Sequence, residues 1–251
     1  MAESERILLV TGGSKGIGAA TCRLAAARGY AVAVNWAHDE AAAASLVREI
    51  EGAGGRAVAI QADVAREDEA ARLFEAVDRR LGRITHLVNN AGMTGRAGRM
   101  DETDTATVRA TFDLNVLGVW YCAREAVLRM STRHGGKGGV IVNVSSIAAR
   151  LGSAGEWVWY AASKAAVDTI TMGLAREGAR EGIRVSAVAP GLTDTTLHES
   201  SGVADRYGRI APTVPMGRGG APEEIAEAIL FLLSDAASYV TGSVLAVGGG
   251  R

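Results

Sequence analysis

Short apolar runs alternate with longer amphipathic stretches along almost the whole chain. The runs are Arg6–Thr11, Tyr30–Asn35, Ala57–Gln61, Ile84–Asn89, Gly139–Val144, Ile183–Val188 and Ser243–Val247. Each is nearly continuous in apolar residues, the pattern of strands covered on both faces of a parallel sheet. The stretches near 17–28, 39–52, 67–81, 104–133, 158–181 and 222–234 read as helices. This alternation predicts an α/β fold, a doubly wound parallel sheet of about seven strands with helices on both faces. A ligand of such a sheet sits beyond the carboxyl ends of the strands, where the strand order reverses.

The 251 residues suffice for one domain with a full core, and no linker or compositional break divides them. A single domain over 1–251 is therefore expected. Two segments interrupt the pattern. His134–Gly139 reads as a flexible connection. Gly191–Gly220 is rich in Gly, Pro and polar residues. A loop that long in a compact domain is usually functional, so 191–220 is expected to be a substrate lid with short helices.

Charge narrows the function classes. With 27 basic and 28 acidic side chains and no basic stripe, no nucleic-acid partner is expected. The start is acidic and runs straight into a strand, so no signal peptide is read. No apolar run is long enough to span a membrane. Cys22 and Cys122 sit in helix-like apolar stretches without ligand spacing, as small buried hydrophobes do. A cytoplasmic protein is expected. The histidines at 38, 86, 134 and 198 have no partner at metal intervals, and no catalytic metal is expected. No Gly-x-Ser-x-Gly elbow supports a hydrolase.

Two motifs carry the candidate chemistry. Thr11-Gly12-Gly13-Ser14-Lys15-Gly16-Ile17-Gly18 follows the first strand and opens a helix. Glycines there let the backbone turn sharply and approach a pyrophosphate, while the helix presents its N–H groups. Tyr160-Ala161-Ala162-Ser163-Lys164 puts a phenol and an ammonium on one helix face. A cation beside a phenol favours the phenolate, which suits acid–base work near neutral pH. A dinucleotide and a proton-transfer group in one domain are the parts needed to move a hydride to or from a carbonyl carbon.

These motifs, with Ala62-Asp63-Val64, Asn89-Asn90-Ala91-Gly92, Leu114-Asn115-Val116, Val144-Ser145-Ser146 and Pro190-Gly191, resemble those of the classical short-chain dehydrogenase/reductase family. The resemblance covers essentially the whole chain. It implies a Rossmann-type fold and an oxidoreductase acting on a ketone or secondary alcohol. Tyr160 is then the general acid in reduction. Lys164 lowers the tyrosine pKa and holds the nicotinamide ribose. Ser146, last in its motif, holds the substrate oxygen, although Ser145 is adjacent. Asn115 anchors a water in a proton relay through the lysine. Around the cofactor, Gly12, Ser14, Lys15, Gly16, Ile17 and Gly18 take the phosphates, and Asp63 and Val64 flank the adenine. Asn90, Ala91 and Gly92 line the ribose and nicotinamide side. Pro190, Gly191, Leu192 and Thr195 meet the carboxamide. A homotetramer follows as well, packed through the helices near 104–133 and 158–181.

An NAD enzyme places an acid at the end of the second strand to grip the ribose 2′-hydroxyl. Here that position is Asn35 or Trp36, with Asp39 and Glu40 just beyond. Lys15 suits a 2′-phosphate as a point charge. NADP(H) is the expected cofactor, and NAD remains open. The substrate rim is expected among Glu156, Trp157, Trp159, Arg96, Arg99, His198 and Tyr207, with the tryptophans equally suited to a subunit contact. An NAD(H)-dependent sugar or alcohol dehydrogenase and a non-catalytic NADP(H)-sensing regulator are the alternatives. A nucleotide-sugar epimerase is disfavoured by the chain length and the glycine spacing.

Overall fold

A computed structural model describes residues 6–195 and 206–251. The strands are β1 Ile7–Val10, β2 Ala31–Trp36, β3 Arg56–Gln61, β4 His86–Asn89, β5 Gly139–Val144, β6 Ile183–Pro190 and β7 Val244–Val247. The helices are α1 Gly16–Ala27, α2 Glu40–Gly52, α3 Glu67–Arg80, α4 Thr105–Phe112, α5 Gly118–Met130, α6 Ala148–Leu151, α7 Val158–Gly178, α8 Arg206–Ile210 and α9 Pro222–Leu233. The strands form one parallel sheet in the order β3-β2-β1-β4-β5-β6-β7. The order reverses between β1 and β4, which opens a crevice there.

Strand alternation divides the core. Leu8 and Val10 of β1 join the apolar cluster under α1 and α9, while Ile7 and Leu9 join the one under α3, α5 and α7. All four are buried, so β1 has no polar face. Each such side chain contributes on the order of 1.5–3 kcal/mol. This two-sided burial explains the continuous apolar runs in the sequence.

The helix expected over 104–133 is broken. A π-helical turn, Asp113–Leu117, separates α4 from α5, and a 3-10 turn, Thr132–His134, follows α5. The wide turn lies where Asn115 is buried and tied to Met93, and π turns of this kind recur at functional sites. Gly118 just after it is needed for close approach, because a Cβ there would lie 3.1 Å from the Val64 carbonyl oxygen.

The connection 134–139, expected to be flexible, is a close-packed turn. Gly135 and Gly138 have positive φ, Gly138 N–H donates to Met130 O, and Gly139 N–H donates to Gly182 O. Gly136, Gly138 and Gly139 meet a need for tight packing, while Gly135 supplies the positive φ of the turn. Of the segment 191–220, the first residues are pinned to the sheet: Gly191 N–H donates to Val247 O, and Gly220 N–H to Leu192 O. Helix α8 and a 3-10 turn, Ala211–Thr213, supply the expected short helices. His198 lies outside the described residues, as does the rest of 196–205. Among the described residues, no helix is long and apolar enough to cross a membrane. Both cysteines are buried, and burial pushes their thiols up.

His86 on β4 is packed edge-on against Tyr30, with ring centroids 5.0 Å apart. Burial pulls its pKa down from 6.5 to about 4. Between those values the unfolded chain binds a proton that the folded one refuses, so stability rises with pH across that window. We expect denaturant titrations to show stability falling as pH drops from 6.5 towards 4. His86→Gln should flatten that slope; an unchanged slope would remove His86 as its cause.

Candidate active site

The crevice at the carboxyl ends of the strands is a cavity of about 770 Å³, a size usual for a small-molecule or cofactor site. The turn after β1 forms one wall. Gly12 and Gly16 there have positive φ, which glycine adopts without strain. Gly18 lies behind the turn and does not border the cavity. A Cβ on Gly18 would come 2.5 Å from the Gly12 carbonyl oxygen and 2.6 Å from Asn90 Nδ2, so no side chain fits. The exposed backbone of this turn is a cradle for a phosphate, and the surrounding residues fit a dinucleotide.

Most of the expected cofactor contacts border the cavity: Gly12, Lys15, Gly16 and Ile17, then Asp63 and Val64, then Asn90, Ala91 and Gly92. Pro190, Gly191, Leu192 and Thr195 border it from the other side. Ser14 does not. Thr195 sits beside the phosphate turn, with its Cγ2 3.3 Å from where a Gly16 Cβ would be. Asn90 is also a strut, since its Nδ2 donates to Thr11 O at 2.9 Å and Gly12 O at 3.0 Å. Asn89 is buried and donates to Asn143 Oδ1 across the sheet.

Asn35 borders the cavity as well. Its side chain is buried, accepts from Gly12 N–H at 3.2 Å, and donates to Ala62 O at 3.0 Å. It braces the glycine turn. Just beyond β2, Ala37 and His38 border the cavity with it. Asp39 does not border the cavity. Its carboxylate caps α2 by accepting from Ala42 N–H and pairs with Lys15 Nζ at 2.5 Å.

Tyr160 and Lys164 lie near the start of α7, both buried and both on the cavity. Lys164 Nζ donates to Val144 O at 2.7 Å, and Ser145 Oγ donates to Lys164 O at 3.3 Å. These bonds fasten α7 to the end of β5. They also distinguish the serines: Ser145 Oγ is turned to the backbone of α7, whereas Ser146 borders the cavity with Tyr160. Ser146 Oγ further accepts from Ala148 N–H at 3.1 Å.

Burial holds the Tyr160 phenol above its ordinary value of 10.0, while the Ser146 hydrogen bond and the charge of Arg206 pull it down. Burial lowers Lys164 from 10.5 to about 8, with Asp168 opposing. Lys164 Nζ lies over the Tyr160 ring, 5.7 Å from its centroid, with Val144 O as its acceptor.

Asn115 is buried and does not border the cavity. Its Oδ1 accepts from Met93 N–H, and its Nδ2 donates to Met93 O at 2.9 Å and Ser163 Oγ at 3.0 Å. The side chain thus joins the loop after β4 to α7.

The expected substrate rim divides. Trp159 is buried and its indole donates to Thr94 O, so it is internal packing, not rim or subunit contact. Trp157 is buried too, donates to Gly95 O and borders the cavity with Glu156. Arg96 and Arg99 are exposed away from the cavity, with Arg99 paired to Asp101. Tyr207 is half-exposed and packs near Gly219. Arg206 was not legible as a site residue. No motif surrounds it, and only the fold brings α8 against the loop before α7.

A sequence profile described as enoyl-(acyl carrier protein) reductase matches residues 12–251. An uncharacterized oxidoreductase, YgfF of Escherichia coli K12, is 48% identical over 98% of this chain and 99% of its own. A cis-4-hydroxycyclohexanecarboxylate dehydrogenase of Sinomonas cyclohexanicum is 43% identical over 98% of this chain and 96% of its own. The crystal structure of a blue fluorescent protein from a metagenomic library, in complex with NADPH, superposes with a TM-score of 0.89. It is 35% identical, and the match covers 98% of this chain and 97% of that one.

Proposed function

Because the chain belongs to the classical short-chain dehydrogenase/reductase family, we propose that it is an NADP(H)-dependent oxidoreductase interconverting a ketone and a secondary alcohol, with Tyr160 as general acid and base. The observation that carries this reading is the placement of Tyr160. Its phenol is buried on the cavity wall beside Ser146, and burial keeps it protonated at neutral pH. A protonated phenol is what the reduction direction requires.

The phosphate turn, Gly12, Lys15, Gly16 and Ile17, would hold the pyrophosphate, and Asp63 and Val64 the adenine. Asn90, Ala91 and Gly92 would line the ribose, and Pro190, Gly191, Leu192 and Thr195 the carboxamide. When bound, NADPH supplies the hydride. Ser146 Oγ donates to the substrate carbonyl oxygen and steadies its developing charge. Tyr160 passes its proton to that oxygen, completing the alcohol; in oxidation it takes the proton back. Lys164, held by Val144 O, directs its remaining donors towards the nicotinamide ribose. Asn115 keeps the loop after β4 against α7 and serves the relay that returns a proton to Tyr160 through Lys164. The segment 191–220 acts as the substrate lid.

Three observations support NADP(H) over NAD(H). No carboxylate at the end of β2 faces the cavity. Asp39 is occupied in capping α2 and in pairing with Lys15. Lys15 borders the cavity and can exchange that carboxylate for a 2′-phosphate. The NADPH of the metagenomic neighbour agrees with this preference. The name of the Sinomonas relative agrees with a secondary alcohol as substrate. A homotetramer is supported by large apolar side chains exposed on the two long helical stretches, Leu117, Trp120 and Leu128 on one and Met172 on the other.

Nicotinamide absorbance with a panel of ketones and secondary alcohols tests the reading. We expect turnover in the wild type, a loss of roughly 100-fold or more in Tyr160→Phe, and retained NADPH binding. Catalytic efficiency should favour NADPH over NADH by about tenfold or more, and Lys15→Ala should erase that preference. Retained activity in Tyr160→Phe, or equal efficiency with NADH, would contradict it. Light scattering should give the mass of a tetramer; a monomer mass would overturn that assembly.

A further inference from the structure

The turn before α7 holds a carboxylate on the cavity wall. Among the described residues two carboxylates border the cavity, Asp63 after β3 and Glu156 before α7. Glu156 comes four positions before Tyr160. Its backbone is fixed at both ends. Ser153 has a φ of +47°, the one positive φ of a non-glycine residue among the described residues. The Ser153 carbonyl accepts from Glu156 N–H at 3.1 Å and Trp157 N–H at 3.0 Å, and Glu156 O accepts from Gly98 N–H at 2.9 Å. Strained backbone that persists in a wall of the cavity marks a position the surroundings hold firmly.

Arg206, the first residue of α8, fixes the side chain. Its Nη2 donates to Glu156 Oε2 at 3.0 Å, and its guanidinium carbon stands 4.9 Å from the centroid of the Trp157 ring. The arginine side chain is 13% exposed and that of Glu156 30%, so the carboxylate still reaches the cavity from this pair. Among the described residues, its other oxygen, Oε1, makes no hydrogen bond. A carboxylate oxygen only accepts, so Oε1 calls for a donor from the occupant of the cavity. The guanidinium offsets the carboxylate charge. A neutral O–H therefore suits the pair better than an ammonium, which Arg206 repels, or a second carboxylate, which Glu156 repels.

We propose that Glu156 is a specificity-determining residue: its Oε1 accepts a hydrogen bond from a second hydroxyl of the substrate, so the substrates are hydroxyketones and polyols. This rests on the reading of the chain as an oxidoreductase of ketones and secondary alcohols. The reacting oxygen lies at Tyr160 and Ser146, and the second hydroxyl lies along the same cavity at Glu156. A substrate without that hydroxyl covers a charged acceptor and leaves it unpaired, which costs more than the bond itself contributes. Acyl chains that carry no donor at this point are disfavoured for the same reason. Because Arg206 and the Ser153 turn hold Glu156 in place, little ordering is needed when the hydroxyl arrives.

Matched pairs of alcohols test it. The cis and trans isomers of cyclohexane-1,2-, 1,3- and 1,4-diol are compared with their monomethyl ethers, in which the second oxygen stays and its hydrogen is lost. With NADP+ and the wild type, kcat/KM for at least one diol should exceed that for its ether by about tenfold or more. Glu156→Ala should bring that ratio close to one. Glu156→Gln, which keeps an acceptor without the charge, should leave it between. A merely structural role would lower both members of a pair alike and keep the ratio. Equal efficiency for every diol and its ether in the wild type would overturn the proposal, as would an unchanged ratio in folded Glu156→Ala. Should that variant fail to fold, an unchanged ratio in Glu156→Gln would overturn it equally. Saturation-transfer NMR of the same pairs with NADP+ present reads binding without turnover. Diols bound in preference to their ethers by a protein that oxidises neither would contradict the oxidoreductase reading and leave Glu156 standing. Where nothing is oxidised, equal binding would overturn the Glu156 proposal as well.

Discussion

A lysine ammonium and a tyrosine phenol are buried together where α7 meets the end of β5, and the rest of the site is arranged around the cost of putting them there. Burial alone disfavours both charged forms. It pulls Lys164 to about 8 and lifts Tyr160 above its ordinary range. The fold answers with specific partners. Val144 O receives the ammonium, Ser146 meets the phenol, and Arg206 adds charge from α8. The bond from Lys164 to Val144 also ties helix to sheet, so the buried cation is part of the scaffold. Preorganisation of this kind lets a site stabilise developing charge without rearranging.

The cofactor side obeys a different constraint, the approach of backbone to backbone. At Gly18 even a methyl group would collide with the Gly12 carbonyl and the Asn90 amide. Asn35 and Asn90 brace the same turn from β2 and from the loop after β4. Three strands thus converge on one phosphate cradle. The π turn at Asn115 connects that loop to α7 in turn. The glycine turn and the Tyr160–Lys164 wall of the crevice thus share one hydrogen-bonded frame.

Much of this was legible in the sequence, and the reasons differ by element. The central strands could be read because both of their faces are buried, and β1 shows it residue by residue. The glycine turn, Tyr160 and Lys164 were legible because local spacing dictates their geometry. What was hidden depends on long-range packing. The bracing of the glycine turn by Asn35 is one such case, since its partners Gly12 and Ala62 come from other strands' ends. The break between α4 and α5 is invisible in periodicity, because it answers to Met93 and Val64. Gly136, Gly138 and Gly139 look flexible and are instead crowded against Met130 and Gly182. Arg206 belongs to the site only because the chain returns to it from fifty positions away.

The central claim is direct hydride transfer at a carbonyl carbon with Tyr160 supplying the proton. It is tested most directly by isotope tracing with NADPH deuterated at the reactive carbon of the nicotinamide, a ketone substrate and the wild-type protein. The account predicts deuterium on the carbinol carbon of the product, with solvent hydrogen only on its oxygen. Solvent hydrogen on the carbinol carbon, or deuterium left on the cofactor while product forms, would contradict it.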